Sequence, residues 1–289
     1  VTDRPTPTDT AGQQPFDLPA DLDVRLVVAD MDGTLLDGAG RIPDGLWPLL
    51  DRMRQRGIAF APASGRQYAT LRRMFDRASD GMVFIAENGS LVVRDGVEVS
   101  STPVERSFAD EAIRLARGVA DSGRDVGTVL CGKRSAYVER SDAAFLAEAE
   151  RYYAELAVVD DLMEPDDEVL KIAVFDFEEA SDVAAAMAPL RATHQVVVSG
   201  HHWVDLMASG VDKGHAVRQL QQAMGIGPAN TMVFGDYLND LQMLDAADHS
   251  YAMANAHPEV LARARYVAPS NQDLGVLTVL SALLGGDPE

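Results

Sequence analysis

Three short apolar runs, residues 24–29, 58–63 and 82–86, each stop at a polar turn, and segments with helical spacing fill the gaps between them. Leu46, Leu49, Leu50 and Met53 share one helical face before Gly57, and residues 68–75 repeat the pattern. Strand, helix, strand, helix, strand in that order predicts a parallel sheet with helices on its faces. In such sheets ligands gather beyond the carboxyl ends of the strands. Those ends read Asp30-Met31-Asp32-Gly33-Thr34, Ser64-Gly65-Arg66 and Glu87-Asn88-Gly89. The chain is thus expected to bring its polar turns together in one crevice.

The first turn carries the most chemistry. Residues two apart on an extended chain point to the same side, and Gly33 lets the backbone turn so that Asp32 is re-aimed relative to Asp30. Carboxylates this close repel unless a shared proton or a cation relieves them. A hard divalent cation such as Mg2+, which takes oxygen ligands, does so economically. A plain polar turn uses the same residues for conformational reasons. Ser64 reads either as an anion-binding hydroxyl beside free N–H groups or as a helix N-cap. The coincidence of the acidic pair, Ser64 and Asn88 at three strand ends favours the functional reading.

The middle of the chain changes character. A hairpin with an Asp95-Gly96 turn is predicted over 91–99. Helices follow at 108–119, 143–156 and 179–190, with strands at 126–131, 135–139, 170–177, 195–198 and 203–207. This reads as an α+β insertion, a cap domain over 91–200, interrupting a core of 23–90 and 201–289. Residues 1–22, rich in Thr, Pro, Asp and Gln, read as a flexible N-terminal tail. At 289 residues two domains are the natural expectation.

After the insertion the first pattern resumes. Lys213 opens a helix, against the preference of the helix dipole, which suggests an anionic partner. A strand at 231–234 then runs into Gly235-Asp236-Tyr237-Leu238-Asn239-Asp240, a second acidic strand end. His201-His202 has no further His or Cys at ligand spacing and reads as a turn or strand entry. Cys131, the only cysteine, sits in an apolar context, reads as a small core residue, and suits a reducing cytoplasm. A formal charge of −20 opposes binding to nucleic acid or an anionic membrane. No apolar run approaches the ~20 residues of a membrane span, and the start lacks the basic-then-apolar order of a signal peptide.

Three or four carboxylates can hold one Mg2+, while a hydroxyl, backbone amides and a Lys suit a phosphate, as phosphoryl transfer requires. In order and wording the motifs Asp30-Met31-Asp32-Gly33-Thr34-Leu35, Ser64-Gly65-Arg66, Lys213 and Gly235-Asp236-Tyr237-Leu238-Asn239-Asp240 resemble the haloacid dehalogenase-like phosphatase superfamily. The insertion, Glu87-Asn88-Gly89 and the Asn239-Asp240 pair are similar to its Cof-type subfamily, with a type IIB cap. The resemblance spans about residues 24–284, and no motif position is broken.

It implies an α/β fold, with a Rossmann-like parallel sheet core, helices on both faces and an inserted α+β cap. Asp30 would be the nucleophile, forming an aspartyl-phosphate, and Asp32 the general acid/base. Mg2+ would be held by the Asp30 carboxylate, the Asp32 backbone carbonyl and Asp236, with Asp240 ligating or orienting through water. Ser64, the Gly65 N–H and Lys213 would hold the phosphate. Asn239 would orient the phosphate or Lys213, and Asn88 and Arg66 would contact substrate. The cap would close over the site and read the leaving group, with His202 and Lys171 as candidates facing it. The expected activity is Mg2+-dependent hydrolysis of small-molecule phosphate monoesters such as sugar phosphates. The alternatives are a phosphomutase or a non-catalytic phosphate-ligand sensor. A cytoplasmic monomer or homodimer acting on a small phosphorylated metabolite is the corresponding expectation.

Overall fold

The computed structural model describes residues 14–15, 22–78, 81–199 and 201–285, so most of the expected tail, 1–22, lies outside the described residues. In chain order, strands β1 (Gln14–Pro15), β2 (Leu26–Asp30), β3 (Ala59–Ala63), β4 (Val83–Ala86), β5 (Leu91–Arg94) and β6 (Val97–Ser101) lie in one sheet. Strands β7 (Val126–Gly132), β8 (Ala136–Val138), β9 (Leu156–Val158), β10 (Val169–Asp176), β11 (His194–Val198) and β12 (Trp203–Ala208) build a second sheet. The chain then returns to the first with β13 (Thr231–Gly235), β14 (His249–Met253) and β15 (Tyr266–Ala268).

The first sheet runs β1-β15-β14-β13-β2-β3-β4-β5-β6. Its centre is parallel, as the sequence pattern predicts, with β2 between β3 and β13. Strand β2 is buried along its whole length, which is why it is apolar at every position before Asp30 rather than alternating. Val27 and Ala29 face a core that includes Leu46, Leu49 and Met53 of helix α1 (Leu46–Gln55). Leu26 and Val28 face the opposite core, with Val217 and Leu220 from the helix Lys213–Met224.

Three expectations change here. The sheet is mixed rather than parallel throughout, because β5 and β6 pair antiparallel beside β4. The strands also divide between the sheets differently from a boundary at 91 and 200: the hairpin 91–101 extends the first sheet, and Trp203–Ala208 belongs to the second. Positive φ at Glu87, Asn88 and Gly89 reverses the chain at once, and an antiparallel neighbour needs only such a tight turn. Period-two alternation marks a hairpin without saying which sheet it joins. Finally, the expected helix 143–156 is a shorter one followed by β9.

The remaining helices are α2 (Tyr68–Met74), α3 (Arg106–Asp121), α4 (Ala143–Ala149), α5 (Ala180–Ala186), α6 (Lys213–Met224), α7 (Leu241–Leu244), α8 (Pro258–Arg263) and α9 (Gly275–Leu283). In the second sheet, ordered β11-β12-β10-β7-β8-β9, alternate residues of β10 and β12 part to opposite faces. Ile172, Val174, Val204 and Leu206 pack with Phe108 and Ile113 of α3 and Val183 of α5. Ala173, Phe175 and Trp203 occupy the other face, next to Tyr153.

This second unit is held to the start of α2 by hydrogen bonds that Gln67 and Thr70 make with the backbone of residues 152–155. Gln67 N donates to the Tyr152 carbonyl (3.1 Å), and the Thr70 hydroxyl donates to the same carbonyl (2.8 Å). Ala154 N donates to Thr70 Oγ1 (2.8 Å), and Glu155 N to Gln67 Oε1 (2.9 Å). No helix among the described residues is long and apolar enough to cross a membrane.

Candidate active site

At the end of β2 the chain enters a tight turn over Met31–Leu35, closed by Leu36 N donating to the Met31 carbonyl at 2.9 Å. Gly33 carries φ +79°, and a Cβ there would run into the carboxylate of Asp236. The turn sends the two carboxylates to different places. Asp30 stays buried at the strand end, whereas the Asp32 side chain is 58% exposed. Thr34 donates to Asp236 Oδ1 at 2.8 Å. That bond ties the first acidic turn to the second.

Asp240 is completely buried and fixed by its own backbone: its Oδ2 accepts from Asp236 N (3.0 Å) and Tyr237 N (3.2 Å). Its Oδ1 accepts from Lys213 Nζ at 2.7 Å, and the same ammonium donates to Asp30 Oδ1. Lys213 therefore finds its anionic partners within the chain. Its position is set by Asp212, whose side chain accepts from His215 N and caps α6. Burial opposes the charge on Lys213, but Asp240 and Asp30 outweigh it and raise its pKa.

Asp30, Asp236 and Asp240 each bring one carboxylate oxygen within 4.8 Å of the others. Burial lifts the pKa of Asp30 well above the ordinary carboxylate value; Lys213 pulls it down, and Asp240, Asp236 and Asp32 push it further up. Asp236 is pushed up to about 6, first by burial and then by Asp240. Three hard oxygen donors with one ammonium leave a surplus of negative charge, and this donor set fits Mg2+.

The carboxylate of Asp32 is outside this triad. Both of its oxygens are taken by Arg66, with Nη2 to Oδ1 at 2.9 Å and Nη1 on Oδ2. The Arg66 guanidinium lies in turn over the ring of Tyr152, 5.0 Å from its centroid. Arg66, expected as a substrate contact, is engaged with Asp32.

Ser64 is buried beside these groups, its hydroxyl accepting from Arg66 N at 3.2 Å. It is not the N-cap of a helix, because α2 opens only at Tyr68, with Gln67 in the capping position. The loop is braced by the next strand end: Asn88 N donates to the Ser64 carbonyl (2.9 Å) and Glu87 N to that of Arg66 (3.1 Å). The Asn88 side chain donates to Asp205 at 2.6 Å. Asn239 lines the cavity that these groups face.

That cavity, about 550 Å³, has Asp30, Asp32, Ser64, Gly65, Arg66, Asp236 and Asn239 on one side. Strands β10 and β12 supply Lys171, Trp203 and Asp205, and the segments that join the elements of the second unit supply Tyr152, Tyr153, Ser199 and His201. Lys171 is thus at the site as expected. Of the two histidines it is His201 that lines the cavity, while His202 Nδ1 lies 2.8 Å from the Asp176 carbonyl. Reading in sequence missed Tyr152, Trp203 and Asp205. The signal for Trp203 and Asp205 was faint: an aromatic and an acid two apart on one strand, a spacing that puts both on one face.

A family model described as haloacid dehalogenase-like hydrolase matches residues 27–280. The chain is 34% identical over 270 residues to the 5-amino-6-(5-phospho-D-ribitylamino)uracil phosphatase YbjI of Escherichia coli (strain K12), covering 91% of this chain and 97% of that protein. It is 28% identical over 243 residues to the HMP-PP phosphatase of Cronobacter sakazakii, covering 82% and 87%. Among solved structures, SMU.1108c of Streptococcus mutans UA159 superposes with a TM-score of 0.82 at 27% identity, covering 91% of this chain and all of that one.

Proposed function

The chain belongs to the haloacid dehalogenase-like hydrolase family, and on that premise we propose that Asp30 is the nucleophile and Asp32 the acid/base of a small-molecule phosphatase. The family, the relatives and the buried aspartate triad support Mg2+-dependent phosphoester hydrolysis through an aspartyl-phosphate. The observation that carries the assignment of roles is the separation of Asp30 from Asp32. Two carboxylates two residues apart have been given different partners, Lys213 for one and Arg66 for the other. Groups in environments this different can take different roles in one reaction.

Asp30, Asp236 and Asp240 would hold Mg2+, which would supply the positive charge that lets a phosphate dianion approach carboxylates. Lys213 restrains Asp30 so that one oxygen is aimed at phosphorus. As the Asp30 oxygen bonds to phosphorus, the bond to the ester oxygen breaks, and Asp32, having drawn a proton from solvent as it parts from Arg66, gives that proton to the ester oxygen. Asp32, now a carboxylate, takes a proton from water, which attacks the phosphoryl group on Asp30 and releases inorganic phosphate. The Ser64 hydroxyl and the Gly65 N–H hold the phosphoryl oxygens through both steps.

The substrate proposed is a phosphorylated sugar or sugar-alcohol chain. One relative is named for a phosphorylated ribityl compound, and a cavity of about 550 Å³ walled by Tyr152 and Trp203 has room for a ring beyond the polyol. The single, buried Cys131 fits a cytoplasmic setting.

The test is inorganic phosphate release from a panel of phosphate monoesters, with Mg2+ and with chelator, beside Asp30→Asn. Turnover that needs metal and vanishes in the variant supports the assignment, and the ranking of esters names the substrate class. Release that survives in Asp30→Asn gives the nucleophile's role to another residue. Failure to release phosphate from any ester removes the hydrolase reading.

A further inference from the structure

A lysine in the middle of a buried strand is costly unless its charge is matched. Lys171 lies in β10, within the apolar sequence Val169-Leu170-Lys171-Ile172-Ala173-Val174, and is 2% exposed. Its ammonium reaches out of the second sheet to the first. It donates to the Gly65 carbonyl at 2.7 Å, pairs with Glu87 at 3.0 Å, and pairs with Asp205 of its own sheet at 3.3 Å. The Gly65 carbonyl takes a hydrogen bond from it, and the two carboxylates stand at ion-pair distance. Asp205 spends its other oxygen on the Asn88 side chain. Glu87 and Asp205 outweigh burial and raise the pKa of Lys171, so the ammonium stays charged.

Gly65 and Glu87 belong to the strand ends that carry the phosphate loop, whereas Lys171 and Asp205 arrive with the cap. The carbonyl that Lys171 grips belongs to the same peptide as the Arg66 N–H, which donates to Ser64 Oγ. Fixing that carbonyl therefore fixes the plane of the peptide that orients the Ser64 hydroxyl. The next residue side chain in the loop, Arg66, holds Asp32.

We propose that Lys171 is a positioning residue, a cap-borne ammonium that sets the Ser64–Arg66 loop in its phosphate-binding geometry when cap and core are together. The phosphate loop is complete only with the cap in place, so closure and phosphate binding are coupled. This rests on the reading of Ser64 and Gly65 as the phosphate loop. It differs from a contact between Lys171 and the leaving group in one measurable respect. A loop-setting residue slows every ester by a similar factor and weakens inhibition by inorganic phosphate, because the phosphoryl group is common to all.

The experiment measures kcat and KM over the ester panel, and inhibition by inorganic phosphate, for wild type, Lys171→Met and Lys171→Arg. Wild-type turnover in the same assay first establishes the phosphatase reading independently. The expected result for Lys171→Met is a fall in kcat of at least about tenfold, uniform across the panel, with a matching rise in the inhibition constant of phosphate. Lys171→Arg recovers part of both. A loss confined to particular esters, with phosphate inhibition unchanged, overturns the proposal, as does a folded Lys171→Met with wild-type kcat. Should the single variant fail to fold around the unpaired acids, the triple variant Lys171→Met/Glu87→Gln/Asp205→Asn decides, since it removes the charges together. Wild-type turnover and phosphate inhibition in that protein overturn the proposal, and the uniform loss upholds it.

Discussion

Arg66 holds Asp32 by both carboxylate oxygens, two residues along the chain from an Asp30 that is buried against Lys213. A fork-to-fork pair fixes direction as well as charge, so the exposed carboxylate of the turn is aimed while the buried one is restrained. The two-residue spacing that would align the side chains in a strand is undone by the turn that opens at Met31, between them.

The pairing, with the acid/base role proposed for Asp32, predicts how the variants fail. Asp32→Asn should lower kcat/KM for alkyl phosphates by about 10²- to 10⁴-fold. It should lower it much less for p-nitrophenyl phosphate, whose leaving group departs without a proton. Arg66→Ala should show the same leaving-group bias at about 10- to 100-fold, and Arg66→Lys should restore little, because an ammonium cannot hold both oxygens. Equal losses for both esters would assign Asp32 and Arg66 to phosphate binding instead.

Metal binding should depend on pH through Asp236. Its pKa in the folded, metal-free protein is raised to about 6 from the ordinary 3.8. The folded protein thus binds this proton more tightly than the unfolded chain does. The resulting stabilisation is complete below the ordinary value and is lost as pH rises through about 6. Mg2+ must displace the proton, so its affinity should climb with pH through that value, and the raised pKa of Asp30 adds to the climb. Thermal melts with and without Mg2+ check this: the metal-induced shift should be larger at about pH 7.5 than at about pH 5. A shift independent of pH would show that Asp236 carries no proton for the metal to displace.

Gly33→Ala should damage the metal site more than the fold. The substitution costs about 1–2 kcal/mol for the left-handed backbone, and its Cβ displaces the Asp236 carboxylate. The expected outcome is a folded protein with a slightly lower melting temperature that needs several-fold more Mg2+ for half-maximal turnover. An unchanged Mg2+ requirement would mean that Asp236 moves without consequence.

Cys131 should behave as core. It is fully buried, with its Sγ 3.4 Å from the Tyr153 hydroxyl. Burial, with the Glu87 charge adding to it, pushes the thiol's pKa well up, so the thiolate that reacts with disulfide reagents is scarce. Titration with an aromatic disulfide should find no fast-reacting thiol in the native protein and one after denaturation. A fast native reaction would place Cys131 in an opening part of the structure.

The sequence by itself determined the central sheet and put Asp30, Asp32, Ser64, Lys213, Asp236 and Asp240 at strand ends or a helix start on one edge of it. Each of these follows from local rules: apolar runs need two covered faces, and polar residues at their ends have nowhere else to go. What the sequence left open was pairing across distance. Whether the 91–101 hairpin joins the first sheet or the second depends on which edge is free, and alternation is the same in either place. That Arg66 serves Asp32, that Thr34 braces Asp236 across 202 residues of chain, and that Lys171 reaches the Gly65 carbonyl are likewise products of tertiary contact. A side chain's partner is chosen by the space it is folded into, and residues distant in sequence share that space only after the cap has been seated on the core.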